Sequence, residues 1–481
     1  MAIKRVLVVG ASGYVGSQLI PLLLEQGFEV IAAGRHTEYL YLRTTPHPNL
    51  TIQYLDLSDP VSTVLSTHQI DCAFFLVHGM AKGHDFIHYE LTMAKNFRDA
   101  VTSSTIKHVI YLSAIQPQAD CSEHIEARRL TGKILRQSNV PVTELCAGVI
   151  IGPGSAAFEI MRDFVYNLPI IIAPKWIQSK ANPIALENLN QYLLTLVNET
   201  PAKHRTFEIG GPDILDYRQQ FNVICQLTGQ RKLIIATSLL TPHLASHWLG
   251  MVTSVPVNIG KALLAGLGHD YVANINAITL RYPQPLISYH DAVKQSVTSE
   301  GEFVHSNVWG FDPAALQRWQ PGYGYYPKHT GASIKTELTS RQLWQVITRL
   351  GSEQEGYFFA NALWRTREWL DIFVGGGKPI RRRPKGDELK VGDFIDSWKV
   401  IHCQPQHFIS LLFGMKAPGL GRLEFTITDH GSWRELNVSA WWHPQGFRGL
   451  LYWFAMMPAH LFIFKGMVRA IIKKARNMAS S

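Results

Sequence analysis

Five cysteines in 481 residues, Cys72, Cys121, Cys146, Cys225 and Cys403, are too few and too scattered for a disulfide framework, and no CxxC pair offers a zinc module. Buried free thiols in a reducing compartment are the expectation. Charged side chains are scarce at 17%, whereas hydrophobic ones reach 46%, a balance that excludes global disorder. The longest nearly apolar run, Leu450 to Phe464, stops short of the roughly 20 residues that span a bilayer. After the basic start Met1 to Arg5, the apolar run Val6 to Val9 ends at Gly10, too soon for a signal peptide, so a cytoplasmic protein is expected. The pairs His84/His88 and His243/His247 share helical spacing but lack a glutamate in HExxH register and a third ligand, and no metal site is expected. The tract Lys378, Arg381, Arg382, Arg383, Lys385 is broken by two prolines and lacks interleaved aromatics, which reads as a solvated loop and excludes nucleic acid as a partner.

Charge is segregated along the chain. Residues 1–332 hold 25 basic and 25 acidic side chains, and residues 333–481 hold 21 and 12, so the whole excess of +9 lies in the last third. Such asymmetry marks a domain boundary and points that part alone toward something anionic, such as a phospholipid surface or an acidic ligand. Before it, the apolar runs Val6 to Val9, Glu29 to Ala33, Thr51 to Leu55, Cys72 to Val77 and His108 to Leu112 alternate with helix-length segments such as Val15 to Gln26 and Tyr89 to Ser103. Alternating strands and helices of this kind wind a parallel sheet on both sides. The reading is an α/β Rossmann-type doubly wound domain with a substrate-side extension over 1–300, a linker over 301–332, and a separate α+β domain over 333–478.

Gly10-Ala11-Ser12-Gly13-Tyr14-Val15-Gly16 joins the first strand to the first helix. A dinucleotide needs its pyrophosphate against bare N–H groups at a helix N-terminus; glycines at 10 and 13 leave that approach open, and Gly16 lets helix and strand pack closely. The second strand ends in Gly34-Arg35-His36, where an acid would accept from the ribose hydroxyl of NAD and an arginine suits the 2′-phosphate of NADP. NADP is the expected cofactor and NAD the second choice. Asp56-Leu57 stands where a carboxylate meets the adenine amino group; a turn residue before Pro60 is the alternative.

Val8 to Gly16, Tyr111-Leu112-Ser113, Val140 to Leu145 and Phe207 to Pro212 together resemble the extended and atypical short-chain dehydrogenase/reductases, in particular bacterial NAD(P)-binding oxidoreductase-like proteins. The resemblance implies a serine after the fifth strand and a Tyr-x-x-x-Lys helix. Ser113 matches the serine, whereas His124 and Arg128 stand where the tyrosine and lysine belong. An imidazole near neutrality can still donate a proton; an arginine can only orient phosphate, ribose or a carboxylate. Both residues can equally be polar helix positions.

The last third looks like the uncharacterised domain fused to such proteins, similar to START-type helix-grip domains in which an antiparallel sheet wraps a long C-terminal helix. Phe408, Ser410 and Leu412 alternate with Ile409, Leu411 and Phe413, and the helix is expected from about Phe447 to Ala475. Its apolar stretch lines a core or cavity, touches a membrane surface, or spans a membrane. Lys465, Arg469 and Lys473 follow it as a stripe. Three functions remain open: an NADP-dependent reductase or isomerase with a lipophilic substrate, a non-catalytic NADP(H) redox sensor, or a lipid- or quinone-binding assembly protein peripheral at the inner membrane.

Overall fold

A strand covered on both faces has no polar side to show, and in a computed structural model four of the apolar runs in the first 150 residues form such strands, whereas the run at Thr51 forms a half-exposed edge strand. The structure describes residues 5–35, 37, 40–41, 44–60, 69–80, 85–117, 121–237, 249–299, 317–352, 354–373 and 388–480. The chain divides into two units at Phe311/Asp312.

In the first unit the strands of the main sheet are β1 Arg5–Val9, β2 Glu29–Gly34, β3 Leu50–Tyr54, β4 Cys72–Phe75, β5 His108–Ala114, β6 Val142–Ala147 and β7 Arg205–Ile209. They pair in the order 3-2-1-4-5-6-7, every pair parallel. This is the doubly wound Rossmann order, with its switch point between β1 and β4. Side chains alternate across the sheet. Val6 and Val8 point toward helix α1 (Tyr14–Glu25), whereas Leu7 and Val9 point toward α2 (Phe86–Thr102) and α3 (Glu123–Leu135). β4 is shorter than expected: Leu76 makes a bond to the Val9 carbonyl, and the chain then leaves the sheet edge before Val77. The extension beyond β6 supplies α4 (Ala156–Asn167), α5 (Leu186–Val197) and α6 (Val257–Gly266).

The second unit is a six-stranded antiparallel sheet. Its members are β8 Lys328–Thr336, β9 Phe394–Ile395, β10 Trp398–Gln404, β11 Phe408–Phe413, β12 Gly419–Asp429 and β13 Arg434–Pro444, paired in the order 8-13-12-11-10-9. Helices α7 (Ser340–Ile347) and α8 (Asn361–Phe373) precede β9, and α9 (Gly446–Ser480) closes the unit. One face of the sheet, with Leu411, Leu423, Phe425 and Val438, packs with Trp453, Phe464, Met467, Val468 and Ile471 of α9 in a common apolar core. The linker expected over 301–332 needs correction at its end. Trp319 stacks edge-on against His443, Gly324 exchanges hydrogen bonds with Pro444 and His443, and β8 begins at Lys328. Aromatic burial and strand pairing draw these residues into the second unit. Residues 300–316, His84, His243, His247 and the basic tract at 378–385 lie outside the described residues.

Candidate functional site

The glycine loop sits at the switch point. Gly10 has φ +87°, a left-handed conformation, and a Cβ there would stand 3.0 Å from the Leu76 carbonyl group. A Cβ on Gly16 would fall 2.5 Å from the Gly10 carbonyl oxygen, which leaves no room for a side chain there, and one on Gly13 would stand 3.1 Å from the same oxygen, a tight approach. Gly10 and Ala11 donate to the Ala33 carbonyl, which ties the loop to β2. At the start of α1, Gly13 supplies no capping side chain and the first turn carries no acid. The N–H groups of Tyr14, Val15 and Gly16 thus open a helix whose dipole favours an anion. Ser12 lies by Gly34, within 3.7 Å of where its Cβ would be, and the Tyr14 hydroxyl approaches Gly152. The backbone fits a dinucleotide pyrophosphate.

At the end of β2, Arg35 is exposed, donates to the Tyr89 hydroxyl (2.7 Å) and lies over that ring with 5.7 Å to its centroid. α2 therefore holds the guanidinium at the sheet's carboxyl edge. His36 is outside the described residues. Asp56 accepts from the backbone N–H and hydroxyl of Ser58, the geometry of a turn residue. Leu57 is buried, and its carbonyl accepts from the Asn96 amide.

Beyond the loop, a second group forms where β4 and β5 end. Ser113 is buried opposite Cys146 in the strand register. Arg128 donates to the Val77 carbonyl (3.1 Å) and pairs with buried Glu90 (3.6 Å), while Glu90 also accepts from the Gly79 N–H (2.8 Å). One carboxylate of α2 thereby fixes both the arginine and the loop after β4. This limits the orienting role expected of Arg128, because its charge is already met by Glu90.

His124 Nδ1 lies 2.8 Å from the Ser122 hydroxyl, and the ring also bonds the Ala262 backbone of α6. Burial, followed by the Arg128 charge, lowers its pKa to about 4. At neutral pH the ring is an uncharged hydrogen-bonding group, not the imidazolium that acid catalysis by His124 requires.

Two members of this group had no signal in the sequence. His78, after β4, is exposed, and desolvation, then the charges of Arg128 and His124, lower its pKa. Tyr271 belongs to the extension and reaches the site because its N–H bonds the Lys180 carbonyl. Its buried hydroxyl and the His124 ring both flank Gly266, at 3.2 and 3.1 Å from where a Cβ would stand. Burial raises the Tyr271 pKa to about 12. Only the accumulated geometry of β4, β5, α3 and α6 finds these residues. Among the described residues no cluster of three or more metal-ligating side chains occurs.

Residues 10–156 match a family model described as NAD(P)H-binding, and residues 330–467 match one described as a protein of unknown function, DUF2867. The first unit therefore carries a nicotinamide-dinucleotide-binding Rossmann domain. No curated protein matches the chain. Among solved structures, the Bordetella bronchiseptica enzyme WbmH in complex with NAD+ aligns at 11% identity over 62% of this chain and 98% of its own, with a TM-score of 0.49. The UDP-glucuronic acid 4-epimerase from Bacillus cereus, in complex with UDP-glucuronic acid and NAD, aligns at 13% over 62% and 100%, with a TM-score of 0.48. The Thermotoga maritima UDP-glucose 4-epimerase aligns at 14% over 63% and 100%, with a TM-score of 0.47.

Proposed function

We propose that the protein is an NADP(H)-dependent oxidoreductase of the atypical short-chain dehydrogenase/reductase type, with Tyr271 taking the proton-donating position that the absent Tyr-x-x-x-Lys pair leaves open. The observation that carries this reading is that the Tyr271 hydroxyl and the His124 ring both approach Gly266, with Tyr271 packed in one cluster with Ile115 after β5 and His124 near His78 after β4. NADP rather than NAD is supported by Arg35, presented at the end of β2 by Tyr89.

The bound cofactor would supply hydride. The chain's own residues do the rest. Gly10, Gly13 and the first turn of α1 receive the pyrophosphate, and Arg35 meets the 2′-phosphate. Glu90 and Arg128 hold the Val77–Gly79 loop against the site. Tyr271, kept neutral by its raised pKa, donates a hydrogen bond to a substrate oxygen and yields its proton as that oxygen gains charge. His124, neutral and anchored by Ser122, stands beside Tyr271 at Gly266. Ser113 stays a buried partner of the strand ends. In the second unit, the antiparallel sheet with α9 across it is consistent with a helix-grip domain holding a lipophilic ligand or substrate.

The test is NADPH oxidation over a panel of lipophilic carbonyl compounds. Tyr271→Phe is expected to lower turnover by about 10²- to 10⁴-fold with NADPH affinity unchanged. Equal turnover in the variant removes Tyr271 from the chemistry. NADPH binding by the native protein without turnover of any compound favours the redox-sensor reading instead.

A further inference from the structure

Helix α9 is long and apolar enough to cross a membrane by length and composition, yet one side of it is committed to the domain core through Trp453, Phe464, Met467, Val468 and Ile471. A membrane-spanning role would strip the sheet of that cover. The opposite side behaves differently. Phe447 and Phe454 are exposed, as are Leu451 at 60% and Phe462 at 58%, positions that recur at helical spacing along one stripe. The same stripe continues as exposed Lys465, Arg469 and Lys473. Its first half is therefore apolar and its second half basic.

Helix α8 extends the apolar half. It lies alongside α9 in the opposite direction, since Phe359, just before α8, meets Phe462 at 5.1 Å between rings, whereas Arg367 donates to the Tyr452 hydroxyl at 3.3 Å. Its C-terminal end thus comes level with the start of α9, and there Trp369 is 73% and Phe373 89% exposed. Aromatic side chains gathered at one end of a two-helix surface exceed the scattered apolar exposure of an ordinary soluble domain. α9 contains six basic residues and no acidic one. A second copy of this chain docking there would bring like charges together without a carboxylate on the helix to receive them. An anionic lipid surface meets both halves.

We propose that the α8–α9 face of the second unit docks on anionic phospholipid bilayers, its aromatic end entering the acyl boundary and its basic end lying among the headgroups. This surface is independent of the redox reading. Docking would place the second unit where apolar bilayer-dissolved molecules are concentrated.

Flotation of the full-length protein with vesicles of phosphatidylcholine alone, or of phosphatidylcholine with phosphatidylglycerol, tests it at low and high salt. The native protein is expected to float with the anionic vesicles, more weakly at high salt and with release by alkaline carbonate. The triple variant Lys465→Gln, Arg469→Gln, Lys473→Gln should bind roughly a hundredfold more weakly. Leu451→Asp with Phe454→Asp should abolish flotation at both salts. Because α9 carries core residues, Trp369→Ser with Phe373→Ser in α8 provides a second apolar variant, and circular dichroism with NADPH binding verifies folding of each. Failure of the native protein to float with either vesicle overturns the proposal, as do apolar variants that float like the native protein and resistance to alkaline carbonate. A native dimer that both apolar variants convert to monomer, without flotation, would assign the face to a second copy.

Discussion

Replacing Arg35 with alanine isolates one phosphate from the rest of the cofactor. The guanidinium is held from below by the Tyr89 hydroxyl at 2.7 Å and by the face of the same ring, so its charge is already placed at the end of β2. A hydrogen bond to a charged group is worth about 1.5 to 3 kcal/mol, and water around an exposed arginine brings this toward the lower end. Roughly 1.5 kcal/mol corresponds to about a tenfold change in Kd. Arg35→Ala should accordingly weaken NADPH about tenfold by calorimetry and leave NADH unchanged. Tyr89→Phe keeps the aromatic face but loses the anchoring hydroxyl, so its effect on NADPH should be smaller and in the same direction. Raising ionic strength should narrow the gap between the two cofactors. Equal weakening of NADPH and NADH by Arg35→Ala would refute the assignment of this residue to the 2′-phosphate.

Two further predictions concern stability. Glu90→Gln leaves the largely buried Arg128 without its carboxylate, which should cost about 3 kcal/mol and lower the melting temperature of the first unit in calorimetry; an unchanged melting temperature would show that the pair carries no net stability. His108, fully buried against the Thr143 hydroxyl, has its pKa lowered to about 4 by burial and then by the Arg205 charge. Its unfolded pKa is about 6.5, so between pH 6.5 and 4 the unfolded chain binds the extra proton and stability falls with pH, by about 1.4 kcal/mol per unit. Thermal melts at pH 7.5 and 5 should show a smaller acid loss in His108→Gln than in the native protein, and identical losses would contradict this linkage.

The parallel sheet was legible because strands such as Val6 to Val9 and His108 to Leu112 are covered on both faces, and the glycine loop because the pyrophosphate tolerates no side chain there. The group of side chains beyond the loop was not. Glu90 reads as a surface charge on an amphipathic helix, and only the approach of Gly79 and Arg128 explains its burial. Tyr271 lies 147 positions beyond His124, and nothing local announces that the extension returns it to Gly266. The surroundings of His124 and Arg128 depend on Ser122, Ala262 and Glu90, partners that no spacing rule supplies. In the last third, apolar spacing identified α9 but could not say which side of it the sheet would take.

The pairing of β8 with β13 joins Lys328 to Trp442 and Thr336 to Arg434 across nine positions. During synthesis, β8 leaves the ribosome about a hundred residues ahead of the strand it must pair with, an interval of roughly 5 to 20 seconds at ordinary elongation rates. The first unit has all seven strands of its parallel sheet by Ile209 and can assemble that sheet in that time. The second cannot seat β8 until β13 arrives, and its aromatic segments wait exposed meanwhile. The order of manufacture therefore completes the parallel sheet of the dinucleotide domain first and leaves the other half waiting longer for its partner strand.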